Sequence, residues 1–388
     1  MDFSLSPEQE RIRDAVAQIC ADFSEDYWLQ KDREGGFPVE FHQAFASAGW
    51  LGICIPPEYG GSGLGISEAA VMLQTIAESG ACMQGASSLH LNIFGLNPVV
   101  KHGTEEQKRR MLPPLIAGKQ RACFVVTEPN VGLNTTQLKT RAERHGDHYL
   151  VNGQKMWISS AQVAEKMLIL ARTTPLDRVT SPKHGLSLFY TDLDRRHVEV
   201  REIEKMGRKA VDSNQVFIDN LRVPVEDRIG EEGRGFEFIL DGMNPERVLV
   251  AAEAVGIGRA ALRRATQYAK ERVVFDRPIG QNQGIQHPLA RNWIELEAAN
   301  LLVMKAGWEY DRGGNAGAAA NAAKYFAAEA GFRACEQAIM THGGMGFAKE
   351  FHVERYLREI LIPRIAPISP QLVLSYVAER VLGLPKSY

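Results

Sequence analysis

The apolar residues of this chain change their period twice, and that double switch limits the fold more than any other feature of its 388 residues. Over the first part they recur every three to four residues, the signature of helices with one buried face. From about residue 121 to 235 they alternate in short runs, as strands do. From about 236 onward the helical period returns, in longer stretches rich in Ala and Gly. Helices and strands segregated along a chain pack as separate layers rather than alternating βα units. The pattern therefore predicts an α+β chain with an N-terminal α-helical domain over 1–120, a small antiparallel β-barrel as the middle domain over 121–235, and a C-terminal four-helix bundle over 236–388.

Local signals fill in the regions. Ser6-Pro7-Glu8-Gln9 reads as an N-cap, a proline in the first turn and a capping-box partner, followed by Ile12, Val16, Ile19, Cys20 and Phe23 at helical spacing. Further helices are predicted over 39–47, 67–79, 87–101 and 104–116, with a loop at 56–65 where prolines and glycines cluster. Strands are predicted over 121–127, 137–143, 148–151, 155–159, 166–172, 186–191 and 215–218. Asn152-Gly153, lying between two of these runs, predicts a hairpin turn. Helices are expected over 246–271, 286–311, 316–341 and 371–382.

Composition removes several classes of function. Lys plus Arg number 45 against 47 Asp plus Glu, so the basic excess expected of a nucleic-acid binder is missing. No run approaches the ~18 apolar residues of a membrane span; the densest, at 301–304, is cut by Lys305. The start, MDFSLSPEQE, has neither a basic head nor an apolar core. Five cysteines at irregular spacing, with no C-x-x-C, predict neither disulfides nor a zinc cluster, and the ten histidines show no ligand spacing, so no metal is expected. These features predict a cytoplasmic protein, or one of the mitochondrial matrix if the chain is a processed eukaryotic form. P-loop, G-x-S-x-G and H-E-x-x-H motifs are absent.

Three stretches in register carry a resemblance. The segment 124–134, FVVTEPNVGLN, resembles the T-E-P-x-x-G-S-D run of the acyl-CoA dehydrogenase family. GQKMWISS at 153–160 is similar to its N-G-x-K-x-W-I-T-N, and YAKERVVF at 268–275, with Gln283, to its Y-x-x-x-R-x-x-F…Q. The resemblance spans nearly the whole chain and implies FAD held between the β-domain and the C-terminal bundle, in a homotetramer built as a dimer of dimers. It implies that Phe124, Val126 and Thr127 line the flavin from one strand and Trp157, Ile158 and Ser159 from the next, with Gly132 and Leu133 close by. A flat aromatic ring system asks for such apolar walls with a few polar donors. It implies that Arg272, Phe275, Gln283, Met340, Gly343 and Gly344 reach the FAD of a neighbouring subunit, and that Ser369 and Gln371 complete the cofactor site. Met340 stands where the family has Gln, and Leu133-Asn134 where it has Ser-Asp.

The reaction that the resemblance implies takes a proton from Cα of an acyl-CoA thioester while hydride passes to the flavin, and electrons then go to an electron-transfer flavoprotein. That requires a carboxylate at Cα and donors on the thioester oxygen. The family's usual base position aligns with Pro367, which has neither a carboxylate nor a backbone N–H. Isovaleryl-CoA and long-chain members carry the base in an earlier E-R pair, which Glu246-Arg247 matches. Glu246 is thus the expected base, and Asn244, Arg247, Leu133 and Ile368 are expected substrate contacts. Residues 87–94 would flank the acyl tail; His90 there either meets a functionalised tail or is an internally bonded histidine. A flavin oxidase, monooxygenase or enoyl-CoA reductase on the same architecture, or a non-catalytic flavin- or CoA-binding protein, stand as alternatives.

Overall fold

The computed structural model describes residues 4–387; residues 1–3 and 388, the outer ends of the first and third predicted regions, lie outside the described residues. Helices α1 (Pro7–Ala21), α2 (Glu25–Glu34), α3 (Val39–Ser47), α4 (Ile66–Ile76), α5 (Cys82–Phe94), α6 (Asn97–His102) and α7 (Glu105–Ile116) come first. α1 starts as predicted: Ser6 Oγ accepts from the Gln9 amide at 3.2 Å, and Gln9 Oε1 accepts from the Ser6 amide at 3.1 Å. Between α4 and α5 the chain passes through a π turn, Ala77–Ala81, where Gly80 at φ +100° bends it, so the predicted helix at 67–79 ends early. α2 escaped the sequence pattern because its buried apolar face is only Trp28 and Leu29.

The middle sheet contains β1 (Ala122–Val125), β2 (Arg141–His145), β3 (His148–Ser159), β4 (Lys166–Arg172), β5 (Leu186–Asp192), β6 (Val198–Glu202), β7 (Ser213–Pro224) and β8 (Arg228–Ile229). Its order is β6-β7-β3-β2-β4-β5-β8, with β1 also on β4. Most pairings are antiparallel, but β1 and β2 run parallel to β4. β4 is buried on both faces: Leu168 and Leu170 pack with Met111, Leu112 and Leu115 of α7, while Met167 and Ile169 pack with Tyr149, Val216 and Val223 inside the barrel.

The predicted turn at Asn152-Gly153 is not there. These residues lie inside the single long strand β3, at a register shift against β7. Neither has the positive φ that a type I′ turn requires, and the Asn152 side chain instead bonds to Asn220. Gly153 is needed for proximity: a Cβ there would lie 2.4 Å from Thr140 Oγ1. The hairpin turns one step earlier, at Gly146-Asp147, with φ +64° at Gly146.

The chain then forms α8 (Gly235–Leu240), α9 (Met243–Glu271), a two-stranded ribbon of β9 (Val273–Val274) and β10 (Arg277–Pro278), α10 (Gln283–Asp311), α11 (Gly317–His342), α12 (Val353–Glu359), α13 (Leu361–Ile365) and α14 (Pro370–Tyr376). Small residues set the spacing of the long helices. A Cβ on Gly258 would come 2.5 Å from Leu296 of α10, and one on Gly331 would come 2.7 Å from the Ala254 carbonyl of α9. α4 joins this bundle, since a Cβ on Gly256 would lie 2.4 Å from the Gln74 carbonyl. One continuous core therefore links α4 and α5 to α9 and α11. Within Val353–Val381 an 18-residue window reaches mean hydropathy 1.3, enough to cross a membrane by length and composition. In the fold the stretch is divided into α12, α13 and α14, with Pro367 and Pro370 at the second break, and it buries Arg355 and Glu359.

Candidate active site

The core shared by α5, α9 and α11 places Glu246 in the first turn of α9, partly exposed and ringed by charge. Removal from water raises its carboxyl to about 7; His90, Arg247 and Lys324 pull against that rise, and Glu253 adds to it. Arg247 is held below the ordinary guanidinium range by burial, with Glu246 opposing. Its Nη1 donates to Asn244 Oδ1 at 3.0 Å, while its Nε has no partner. Asn244 and Arg247 thus meet across the first turn of α9, with Glu246 between them in sequence.

Lys324 was not foreseen. It projects from α11, fully buried, and donates to the Ile368 carbonyl at 2.6 Å and the Arg364 carbonyl at 3.3 Å. Burial, reinforced by Arg247, lowers its ammonium to about 8, while Glu329 and Glu246 hold it up. This lysine ties the 364–368 loop, including Pro367 and Ile368, beside Glu246. The signal was present in the sequence: one lysine within the apolar, Ala-rich run of α11. The loop's Ala366 amide is spent on the Ile362 carbonyl at 2.8 Å, and Ser369 Oγ caps α14 at the Leu372 amide. Gln371 stands exposed at the start of α14.

The sheet brings the predicted flavin walls together. Beyond the end of β1, the Thr127 carbonyl accepts from the Met156 amide at 2.9 Å, so Val126 and Thr127 lie beside Trp157. Phe124 packs 5.4 Å from Phe94 of α5, which ties this strand to the helical side. Trp157 is 55% exposed with φ +61°, at a bulge in β3. A strand tryptophan turned out of the core leaves an aromatic face uncovered, which fits a flat ring ligand. Ile158 is a correction: its side chain is buried in the barrel core and its carbonyl accepts from Asn214 at 2.8 Å, so it adds no apolar wall. Ser159 Oγ accepts from Arg208, whose other Nη bonds reach Ser87 and Ser213. Gly132 and Leu133 are exposed in the loop after β1.

Two buried groups hold this wall. Lys155 is fully buried and donates to the Val126 and Leu170 carbonyls, both at 2.9 Å, with Glu128 Oε1 at 3.2 Å. Burial lowers Lys155 to about 8 while Glu128 supports its charge. Glu128 also accepts from the Lys139 and Thr140 amides at 2.8 and 2.9 Å. Burial opposes its charge, but Lys155 and these N–H groups keep its carboxyl below the usual range.

The remaining predicted cofactor residues lie elsewhere. Arg272 follows the end of α9, about 40 Å along the helix from Glu246 at 1.5 Å per residue. Phe275, 93% exposed, and Gln283 share that end, as do Met340, Gly343 and Gly344 at the end of α11, where His342 stacks on Tyr268 at 4.3 Å. One chain therefore divides the predicted residues into two clusters, at opposite ends of α9.

Three domain models match the chain in order: acyl-CoA dehydrogenase N-terminal domain over residues 6–119, middle domain over 123–221 and C-terminal domain over 233–382. The chain is 37% identical over 394 residues to acyl-CoA dehydrogenase FadE12 of Mycobacterium tuberculosis, covering 100% of this chain and 99% of that protein. It is 33% identical over 353 residues to the caffeyl-CoA reductase-Etf complex subunit CarC of Acetobacterium woodii, covering 89% and 91% respectively. Among solved structures it is similar to butyryl-CoA dehydrogenase from Megasphaera elsdenii, with TM-score 0.93 and 28% identity over 98% of this chain and 100% of that one.

Proposed function

Because the chain belongs to the acyl-CoA dehydrogenase family, a family of FAD-dependent oxidoreductases acting on CH–CH bonds, we propose that it converts an acyl-CoA thioester to its 2-enoyl-CoA with Glu246 as the base. The observation that carries this reading is Glu246 itself: a half-buried carboxylate, its proton affinity raised by desolvation, in a charge-ringed turn at the family's alternative base position. When bound, FAD supplies the hydride acceptor. Phe124, Val126, Thr127 and Trp157 form the wall on which its ring would rest, and Arg272, Phe275, Gln283, Met340, Gly343 and Gly344 would hold the FAD of a second copy in a homotetramer.

Glu246 takes the Cα proton onto its carboxylate. Asn244 and Arg247 orient the thioester arm, and the fixed guanidinium fork suits the polar pantetheine and phosphate groups of CoA. The Lys324-tethered loop brings Ile368 against the thioester. Pro367 offers no N–H, so the Ile368 amide is the next backbone donor along the loop for the thioester oxygen. Likeness to a subunit of an Etf complex supports an electron-transfer flavoprotein as the electron partner.

The same likeness favours a second direction. A carboxyl raised to about 7 holds its proton near neutral pH more readily than an ordinary one and can return it to Cα in enoyl-CoA reduction. Anaerobic titration with straight, branched and cyclic acyl-CoAs, watching the flavin absorbance, tests the reading: bleaching by one class supports it and names the acyl shape. A normal oxidised spectrum that no acyl-CoA bleaches, in a protein reoxidised by enoyl-CoA, assigns the reductive direction instead.

Glu246 also sets the pH dependence. The base works ionised, so kcat/KM for flavin reduction rises with pH and levels off above about 7. A profile flat from pH 5 to 9, or one falling as pH rises through 7, counts against Glu246 as the base.

A further inference from the structure

We propose that Arg208 is a positioning residue for the flavin reaction: through the Ser159 hydroxyl it sets a positive charge behind the cofactor ring and biases the bound flavin toward its reduced form. This rests on the FAD site proposed above. Arg208 lies in the turn between β6 and β7, with φ +55°. A long side chain in the left-handed region is strained, and the strain persists only where the surroundings fix the residue. Three hydroxyls from three elements fix this one. Its Nη1 donates to Ser87 Oγ of α5 at 3.3 Å, and its Nη2 to Ser159 Oγ of β3 at 2.9 Å and Ser213 Oγ of β7 at 3.0 Å. Ile158 turns into the barrel core, which leaves Trp157 and Ser159 on the outer face. The guanidinium therefore stands directly behind the wall that Trp157 leaves uncovered.

The protein itself leaves this cation without an anion in contact. Among the described residues no carboxylate ion-pairs with it; Glu359, Asp212 and Glu253 support its charge only from a distance, while burial holds it below the ordinary guanidinium range. Its Nε is buried without a partner. A desolvated charge held by neutral hydroxyls alone is costly unless a negative group shares its surroundings. Ser159 supplies the link to one. Its oxygen accepts from Arg208, and its own hydrogen meets no acceptor among the described residues. That hydrogen is free to donate outward, and the guanidinium behind it polarises the hydroxyl and strengthens the donation. Hydride carries two electrons and one proton, so the ring that accepts it gains one negative charge. A donor backed by a full positive charge favours that charged form over the neutral oxidised one.

The test titrates the FAD of the purified holoenzyme, without substrate, against a dye of known potential. In Arg208→Gln the ratio of reduced to oxidised flavin at a fixed potential is expected to fall at least about tenfold, a shift of about 30 mV for two electrons. That is the scale on which one charge acts across a protein interior of effective dielectric about 20. Arg208→Lys keeps the charge and is expected to keep most of the wild-type ratio. Ser159→Ala is expected to move the ratio in the same direction as Arg208→Gln. In Arg208→Gln/Ser159→Ala the two effects are expected to fall short of their sum, because each breaks the same link. A residue that only braced the fold would change melting and FAD content but leave the potential of the retained flavin alone. An Arg208→Gln flavin at the wild-type potential, or effects of the two substitutions that add in full, overturns the proposal. If Arg208→Gln holds no FAD, the other single variants decide: an unchanged ratio in Ser159→Ala, or a tenfold fall in Arg208→Lys, overturns it. The expected shifts in a flavin that no acyl-CoA bleaches uphold this proposal and sink the dehydrogenation reading. A wild-type protein that takes up no FAD brings down both.

Discussion

Glu246→Gln is expected to lower substrate-dependent flavin reduction by at least about 1,000-fold while FAD stays bound with an unchanged oxidised spectrum. Gln keeps the shape of the side chain but cannot accept the Cα proton. The carboxylate is expected to matter this much because no other carboxylate stands in its place: Pro367 occupies the alternative position, and Glu253 lies two turns further along α9 and is engaged by His90. The same substitution should stabilise the protein in alkali. Glu246 titrates at about 7 when folded, against about 4.3 in an unfolded chain. The folded state therefore binds more protons between those values, and stability falls as pH rises through that window, by roughly 4 kcal/mol in all. Gln escapes the penalty, so the variant should melt above wild type at pH 8, with the gap closing toward pH 4.5. Full bleaching by the variant, or a melting difference that grows in acid, would sink the assignment.

Lys155→Met is expected to cost about 3–5 kcal/mol and to release FAD, although the residue need not touch the cofactor. It strands the buried Glu128 carboxylate without its cation and leaves the Val126 and Leu170 carbonyls without their shared donor. Val126 and Thr127 are positioned by that donor and by the bond to Met156, so the wall beside Trp157 should loosen with them. Glu128→Gln added to Lys155→Met removes the stranded charge, and the double variant should recover much of the melting temperature but less of the flavin, because the Val126 carbonyl stays unpaired. Thermal melting read together with FAD content after gel filtration separates the two effects. A single variant that melts like wild type and keeps its flavin would show that the pair carries neither load.

The three regions, the α1 cap and the Ala- and Gly-rich long helices were legible because each is a local or periodic property of neighbouring residues. Glu246 entered by another route, the likeness of Glu246-Arg247 to the E-R pair of the family's earlier-base members. The turn at Asn152-Gly153 misled because a dipeptide that suits a hairpin also suits a bulge in a long strand, and only β7 on one side and Thr140 on the other decide between them. Glu253 was passed over because nothing near it in the sequence marks it, and Lys324 because a lone lysine in an Ala-rich run does not say what it will meet. Lys324 gains its meaning from the Ile368 and Arg364 carbonyls some forty residues away, and Glu253 from His90 on α5. Sequence alone thus determined the periodicity, the order of the helical and β regions, and the carboxylate that is proposed as the base. Tertiary structure alone decided what surrounds that base, because burial and charge act through space: the carboxyl's affinity for its proton, the groups beside its substrate and the separation of the two cofactor clusters arise only when distant helices share one core.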